Sequence, residues 1–157
     1  MNSAQARHTE PHEREHTSVN ARARPDSSDI RAYVETLPRS PESASRARRL
    51  VSDALGSWGI PGIAHDDAVL IISEIVSNAT QHVRAGEIDV VITRLDDVVV
   101  RLAAADKSSV LPRLRAPHAD ELRGRGLRLV DELSARWGTD PLPGGKRVWA
   151  ELRGRKP

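Results

Sequence analysis

The sequence predicts an α/β fold, a two-layer sandwich in which helices cover one face of a mixed, mostly antiparallel sheet. Two early stretches carry apolar residues at helical spacing, and two later pairs of alternating segments are each joined by a short turn, which is typical of β-hairpins. At 157 residues the chain is long enough for one domain with a real core and too short for two large ones.

Residues 1–29 are expected to form a disordered polar tail, and residues 30–157 the folded domain. The tail is rich in Arg, Glu, His, Ser and Ala and has no apolar periodicity, so it cannot bury enough surface to offset the entropy cost of ordering. His8, His12 and His16 recur at four-residue spacing, which is compatible with a metal site, but a solvated tail explains them more simply.

The folded domain is expected to begin with an edge strand and a helix. Residues 30–37 alternate loosely and end at Pro38, which predicts the strand. Ser40 is a suitable N-cap and Pro41 a suitable first helical residue, so the first helix is expected to start there. It is expected to stop near Gly56 to Gly59, before a turn at Pro61 and Gly62.

A second amphipathic helix is predicted from Asp66 to His82. Its apolar face consists of residues at helical spacing: Val69, Ile72, Val76, Ala79 and Val83. Glu74 and Asn78 are four residues apart and therefore lie one turn apart on the same side of this helix. A carboxylate beside a carboxamide is suited to holding a metal ion and orienting a hydroxyl group or water, and magnesium prefers oxygen ligands of this kind.

The second half of the chain predicts two hairpins with a loop and a helix between them. Residues 87–94 and 98–105 alternate on either side of a turn at Asp96 and Asp97, which predicts the first hairpin. Residues 136–139 and 148–152 are expected to form the second, around the turn at 143–145. Residues 106–123 are expected to form a long polar loop, and loops of this length are often functional.

The segment Gly124-Arg125-Gly126 is expected to close that loop and to open a short helix. The apolar residues of this helix are Leu127, Val130 and Leu133.

This order of elements, with E-x-x-x-N on the second helix, resembles the GHKL ATPases, the superfamily of gyrase, sensor histidine kinases and anti-sigma-factor serine kinases. The chain is most similar to the anti-sigma-factor serine/threonine kinase branch, including its orphan ATP-binding regulators. The resemblance covers about residues 40–152 and implies the Bergerat-type ATP-binding fold. A sensor histidine kinase is disfavoured because the chain offers no phospho-accepting histidine module.

The resemblance implies a site for ATP and Mg²⁺. Glu74 would polarise the attacking hydroxyl or water as a general base, and Asn78 would ligate the magnesium that bridges the phosphates. Asp106 would accept a hydrogen bond from the adenine amino group, under a lid formed by residues 106–123. The remaining cofactor-binding residues implied are His82, Ser108, Gly124, Arg125, Gly126 and Leu127.

One segment departs from the usual family pattern. The first glycine box is often D-x-G-x-G, whereas Asp106-Lys107-Ser108-Ser109 contains no glycine. Asp106, Ser108 and Pro112 instead match the D-x-S-x-x-x-P pattern of the orphan branch. Adenine recognition would therefore rest on Asp106, with reduced affinity expected.

Three functions are open at this point. The first is a kinase that binds a sigma factor and phosphorylates a serine on its small antagonist protein. Relatives of this kind often form homodimers, so a homodimer is possible here. The second is a catalytically silent module that holds ATP and a partner. The third, nucleic-acid binding through Arg46, Arg48 and Arg49, is disfavoured by a formal charge of only +2 and by 3% aromatic residues.

Composition also bears on where the protein works. No apolar run is long enough to span a bilayer, and the N-terminus lacks an apolar signal-peptide core. Cysteine is absent, which excludes a disulfide framework and a thiol nucleophile. We therefore expect a cytoplasmic protein that does not bind a membrane.

Overall fold

The computed structural model of the chain describes residues 31–81, 86–106 and 119–156, with the backbone alone at 119–125. The tail predicted at residues 1–29 lies outside this part. The described residues form eight elements in the order β1 (Ala32–Pro38), α1 (Ser43–Trp58), α2 (His65–Thr80), β2 (Glu87–Arg94), β3 (Val99–Asp106), α3 (Ala119–Leu133), β4 (Arg136–Leu142) and β5 (Gly145–Arg153).

The described strands form one sheet in the order β1-β2-β3-β5-β4. The three helices and the single sheet of described strands confirm the predicted α/β fold. Every pairing among these strands is antiparallel, so this part of the sheet is not mixed. Two helices connect β1 to β2 and return the chain to the end where β1 finished, where the Arg39 amide donates to the Gly86 carbonyl at 3.1 Å. β1 is an edge strand, as predicted.

The core lies between the helices and one face of the sheet. On β2, Ile88, Val90 and Ile92 are fully buried, whereas the residues between them lie on the other face. The helices contribute further fully buried or nearly fully buried residues to the same cluster: Val51, Ile71, Ile72, Ile75, Val76 and Val130. The period-2 and period-3.6 patterns of the sequence therefore meet in one core.

The first helix begins later than predicted. α1 starts at Ser43 after the N-cap residue Glu42, which makes no side-chain cap hydrogen bond. Ser40 is not the cap, because its hydroxyl donates to the Glu42 carboxylate at 2.6 Å, while Ser43 donates its hydroxyl to the Pro38 carbonyl. At the other end Gly59 adopts the left-handed conformation (φ 57°) that commonly closes a helix.

The loop before the third helix was predicted too long. α3 begins at Ala119, so Gly124 and Gly126 lie inside the helix and not at its N-terminus. A glycine in a helix interior costs about 1 kcal/mol relative to alanine, which is why the pair suggested a helix start. Packing outweighs this cost, since Val130 is fully buried and Leu127 and Leu133 pack against the core.

The last hairpin is longer than predicted. β4 extends to Leu142 and β5 begins at Gly145, around a turn at Pro143 and Gly144. The sequence prediction ended β4 at Thr139, two residues before Pro141. However, β4 is an edge strand, where a proline is tolerated because no outer strand needs its amide.

Candidate functional site

Glu74 lies on α2 where this helix meets α3, and it is half-buried. Gly126 of α3 lies directly against it, since a Cβ added at Gly126 would be 2.8 Å from Glu74 Oε2. The absence of a side chain at Gly126 therefore allows α3 to approach the carboxylate. The structure brings together two residues that were predicted to share one site from separate motifs.

Asn78 lies one turn after Glu74 on α2 and is also half-buried. The described residues contain no group of three or more His, Asp or Glu side chains that could hold a metal ion alone. Magnesium usually keeps several waters and takes one or two protein oxygens together with phosphate oxygens. A single carboxamide beside a carboxylate fits this mode, in which phosphate oxygens supply further ligands.

Asp106 is the last residue of β3, and its carboxylate pairs with the guanidinium of Arg39. The Arg39 side chain is 2% exposed and that of Asp106 is 19% exposed, so this ion pair is largely removed from water. Burial lowers the pKa of the Arg39 guanidinium, but an arginine remains charged in proteins. Arg39 was not among the residues predicted for the site, because no local sequence pattern connects it with Asp106.

Two glycines make room around this ion pair. Gly86 has a φ of 110°, and a Cβ placed there would lie 3.7 Å from Arg39 Nε. On the other side, a Cβ at Gly145 would lie 2.5 Å from the Asp106 carbonyl oxygen, so the start of β5 lies directly on the end of β3. At Gly86 the positive φ favours glycine, whereas at Gly145 the close approach of the Asp106 backbone excludes a side chain.

The other predicted site residues stand as follows. His82 and Ser108 lie outside the described residues. Gly124 and Arg125 belong to α3, which is described there by its backbone alone. Leu127 is partly buried and packs against the hydrophobic core.

A surface depression of about 490 Å³ lies elsewhere, lined by Asp96, Asp97, Val98, Arg153 and Lys156. Asp96 and Asp97 precede β3, whereas Asp106 ends it. The depression is therefore at the opposite end of the strand and is not part of the candidate site.

The fold is that of a histidine-kinase-like ATPase domain. A family model described as "Histidine kinase-like ATPase domain" matches residues 37–151, which is more than half of the chain. The chain therefore belongs to this family, and the resemblance seen in the sequence is confirmed.

One solved structure with this fold is that of the RsbU and RsbW domains of Rv1364c from Mycobacterium tuberculosis. It is 21% identical, with a TM-score of 0.58 over 82% of this chain, and the match spans 34% of that longer chain. No curated protein sequence matches at a significant level. In the described part of the chain, no helix is long and apolar enough to cross a membrane.

Proposed function

We propose that this chain binds ATP with Mg²⁺ and acts as an anti-sigma-factor-type serine/threonine kinase. The observation that carries the proposal is the half-buried pair Glu74 and Asn78 on α2, with Gly126 of α3 against the carboxylate. Phosphoryl transfer depends mainly on positioning and charge neutralisation, which such a site can supply.

In this proposal the substrate is a serine on a small antagonist protein. The serine oxygen attacks the γ-phosphorus of ATP, and the bond from that phosphorus to the bridging oxygen breaks to release ADP. Glu74 accepts the hydroxyl proton. Asn78 would hold Mg²⁺, which neutralises phosphate charge when bound. Asp106 would accept a hydrogen bond from the adenine amino group.

Calorimetry with and without magnesium, on the wild type and on Asn78→Ala, tests the nucleotide site. We expect ATP binding that depends on magnesium in the wild type and loses that dependence in Asn78→Ala, because the variant lacks the proposed metal ligand. No binding of ATP at millimolar concentration to the wild type would contradict the proposal.

A transfer assay on Glu74→Ala tests the kinase step. We expect phosphorylation of the antagonist protein to be abolished while ATP affinity is retained, since the carboxylate acts on the hydroxyl and not on the nucleotide. Glu132, which is exposed on α3, provides the control variant Glu132→Ala with unchanged transfer. Phosphorylation by Glu74→Ala at the wild-type rate would remove Glu74 from the mechanism.

The second candidate is a catalytically silent module that holds ATP and a partner protein. The position of Gly124 and Gly126 inside α3 favours it, since amides within a helix bond to carbonyls four residues earlier and not to phosphates. A wild-type protein that binds ATP but yields no phosphorylated antagonist would support this candidate over the kinase.

The proposed partners are a sigma factor and its antagonist protein, and the proposed location of the chain is the cytoplasm. The sequence resemblance implies these partners, and the similarity in fold to a solved structure that contains an RsbW domain supports this branch of the family.

A second copy of this chain is also a proposed partner, and it would bind on the sheet face that lies opposite the helices. Small or apolar residues form a straight row across all five described strands, here called the apolar row: Val34, Val91, Ala103, Trp149 and Gly138. Val34 is 62% exposed. No described helix or strand lies on this row. The guanidinium groups of Arg101 and Arg136 lie 4.5 and 5.3 Å from the centroid of the Trp149 ring, and Ala103 is 4% exposed, so the apolar surface open to a second copy centres on Val34. Exposed apolar surface is typical of an interface.

The charges beside the apolar row favour one arrangement of the two copies. On one side lie Asp89, Arg147 and Asp140, with a net charge of −1; on the other lie Arg101, Glu151 and Arg136, with a net charge of +1. A two-fold axis along the apolar row places each set over the opposite set of the second copy. An axis along the strands would place like charges together.

A further inference from the structure

We infer that Arg39 is a positioning residue that holds the Asp106 carboxylate for the amino group of the base, and so sets the preference for a purine with a 6-amino group. The inference rests on the proposed function, in which Asp106 accepts a hydrogen bond from adenine. It assigns a role to a residue outside every motif noted in the sequence.

Arg39 reaches Asp106 across the end of the sheet. Arg39 follows β1, whereas Asp106 ends β3, so the ion pair spans two inter-strand distances, roughly 10 Å. The side chain crosses this distance over Gly86, where β2 has not yet begun. The Arg39 backbone is itself fixed by the hydrogen bond from its amide to the Gly86 carbonyl.

The two charges lie in an environment that restricts their orientation. Arg39 is 2% exposed, and its Nε has no hydrogen-bond partner among the described residues. A buried guanidinium needs a carboxylate, and the described Asp106 is the carboxylate that pairs with it. Arg39 therefore restricts the orientation of Asp106 more strongly than a solvent-exposed partner would.

The Asp106 carboxylate keeps capacity for a further hydrogen bond. Arg39 contacts Oδ1 of Asp106. An ionised carboxylate has about four lone-pair sites, so Asp106 can pair with Arg39 and accept hydrogen bonds as well. The 19% exposure of Asp106 leaves the carboxylate accessible to a base, while Arg39 restricts its orientation.

The experiment compares the affinity of two nucleotides by calorimetry in the presence of Mg²⁺: ATP, and purine riboside triphosphate, which lacks the 6-amino group. For the wild type we expect ATP to bind roughly tenfold more tightly or better, since a hydrogen bond to a charged acceptor is lost with the analogue. For Arg39→Met we expect this ratio to fall towards one, with the affinity for the analogue nearly unchanged.

Three further variants make the result specific. Asp106→Ala gives the ratio of the ATP affinity to the analogue affinity when the acceptor is absent. If Arg39 acts through Asp106, the double variant with Arg39→Met should show the same ratio as Asp106→Ala alone. Arg94→Met is the matched control, because Arg94 pairs with Asp97 at the other end of the sheet. It should leave both affinities unchanged.

The outcomes separate this inference from the proposed function. Equal weakening of both nucleotides by Arg39→Met, with the ratio preserved, would overturn the inference and leave the nucleotide site intact. A wild type that binds neither nucleotide would overturn the proposed function. Should Arg39→Met fail to fold, Arg39→Lys replaces it, because its ammonium keeps a positive charge beside Asp106 but lacks the rigid fork of the guanidinium that restricts the orientation of the carboxylate. An unchanged ratio of the two affinities in Arg39→Lys would then contradict the inference.

Discussion

At the scale of single residues, the contact between Gly126 and Glu74 connects stability with the proposed chemistry. A methyl group on Gly126 would lie 2.8 Å from Glu74 Oε2, so the carboxylate would have to move. The carboxylate is the end of a flexible side chain, and the backbone of α3 can stay in place. A substitution here therefore changes the position of a candidate base with little cost to the fold.

We predict that the free energy of unfolding of Gly126→Ala is at least that of the wild type and exceeds it by up to about 1 kcal/mol, since alanine favours a helix interior. Phosphoryl transfer should fall roughly tenfold or more, because a displaced base loses its alignment. Urea unfolding and the transfer rate give the two values. An unchanged transfer rate would show that Glu74 is not required at this position.

Gly56→Ala is the control for this prediction. Gly56 lies in α1, and a Cβ there would meet nothing within 4 Å. We expect stabilisation of roughly 0.5–1 kcal/mol, as for an unhindered helix glycine, and no change in transfer.

At the scale of elements, the turn between β2 and β3 depends on one carboxylate. Asp96 Oδ1 accepts hydrogen bonds from the amides of Val98 and Val99, both at 2.8 Å. The pKa of Asp96 is lowered mainly by the hydrogen bond from the Val98 amide. The Val99 amide, Arg153 and Lys156 lower it further, while burial acts in the opposite direction. The ionised form is therefore the one that stabilises the hairpin.

We predict a pH-dependent difference between the wild type and Asp96→Asn. The pKa of Asp96 is lower in the folded state than in the unfolded state. Its contribution to the free energy of unfolding is therefore present above the unfolded-state pKa of about 3.9 and is lost as the pH falls through the folded-state pKa. Urea unfolding from about pH 7 to about pH 3 should show the wild-type advantage shrinking with acid. Asp97→Asn is the matched control, because the 97% exposed Asp97 lies beside Asp96 while the two turn amides donate to Asp96. An equal loss of stability with acid in the comparison of the wild type with Asp97→Asn would contradict the prediction.

At the scale of the whole molecule, the open sheet face determines how two copies could associate. Asp140 and Arg136 lie on the edge strand β4, on opposite sides of the apolar row, and their side chains are 42% and 65% exposed. In the proposed dimer each would face the other residue type across the two-fold axis. Reversing one charge therefore places like charges opposite each other at two points.

We predict that Asp140→Arg and Arg136→Asp each weaken self-association, and that an equimolar mixture of the two variants restores it. In the mixed dimer, both contacts again pair an arginine with an aspartate. Sedimentation equilibrium over a range of concentrations measures the effect. A monomeric wild type would contradict the dimer, while a wild-type dimer unaffected by either variant would place the interface elsewhere.

Much of the fold could be predicted because its elements follow local patterns. The bounds of β2 were predicted correctly, since Ile88, Val90 and Ile92 alternate with residues of the opposite face. The largest errors lie at the start of α1, at the start of α3 and on both sides of the turn of the second hairpin. At those positions glycine, proline and serine gave local signals that contacts with other elements outweighed.

Local spacing was also sufficient to place Glu74 and Asn78 on one side of one helix, since residues four apart are neighbours on any helix. The sequence likewise carries the element order from which the family resemblance was drawn. Contacts between distant segments follow from packing and are absent from local periodicity. The Arg39–Asp106 pair, the approach of Gly126 to Glu74 and the position of β5 between β3 and β4 exist only because the folded chain brings those segments together.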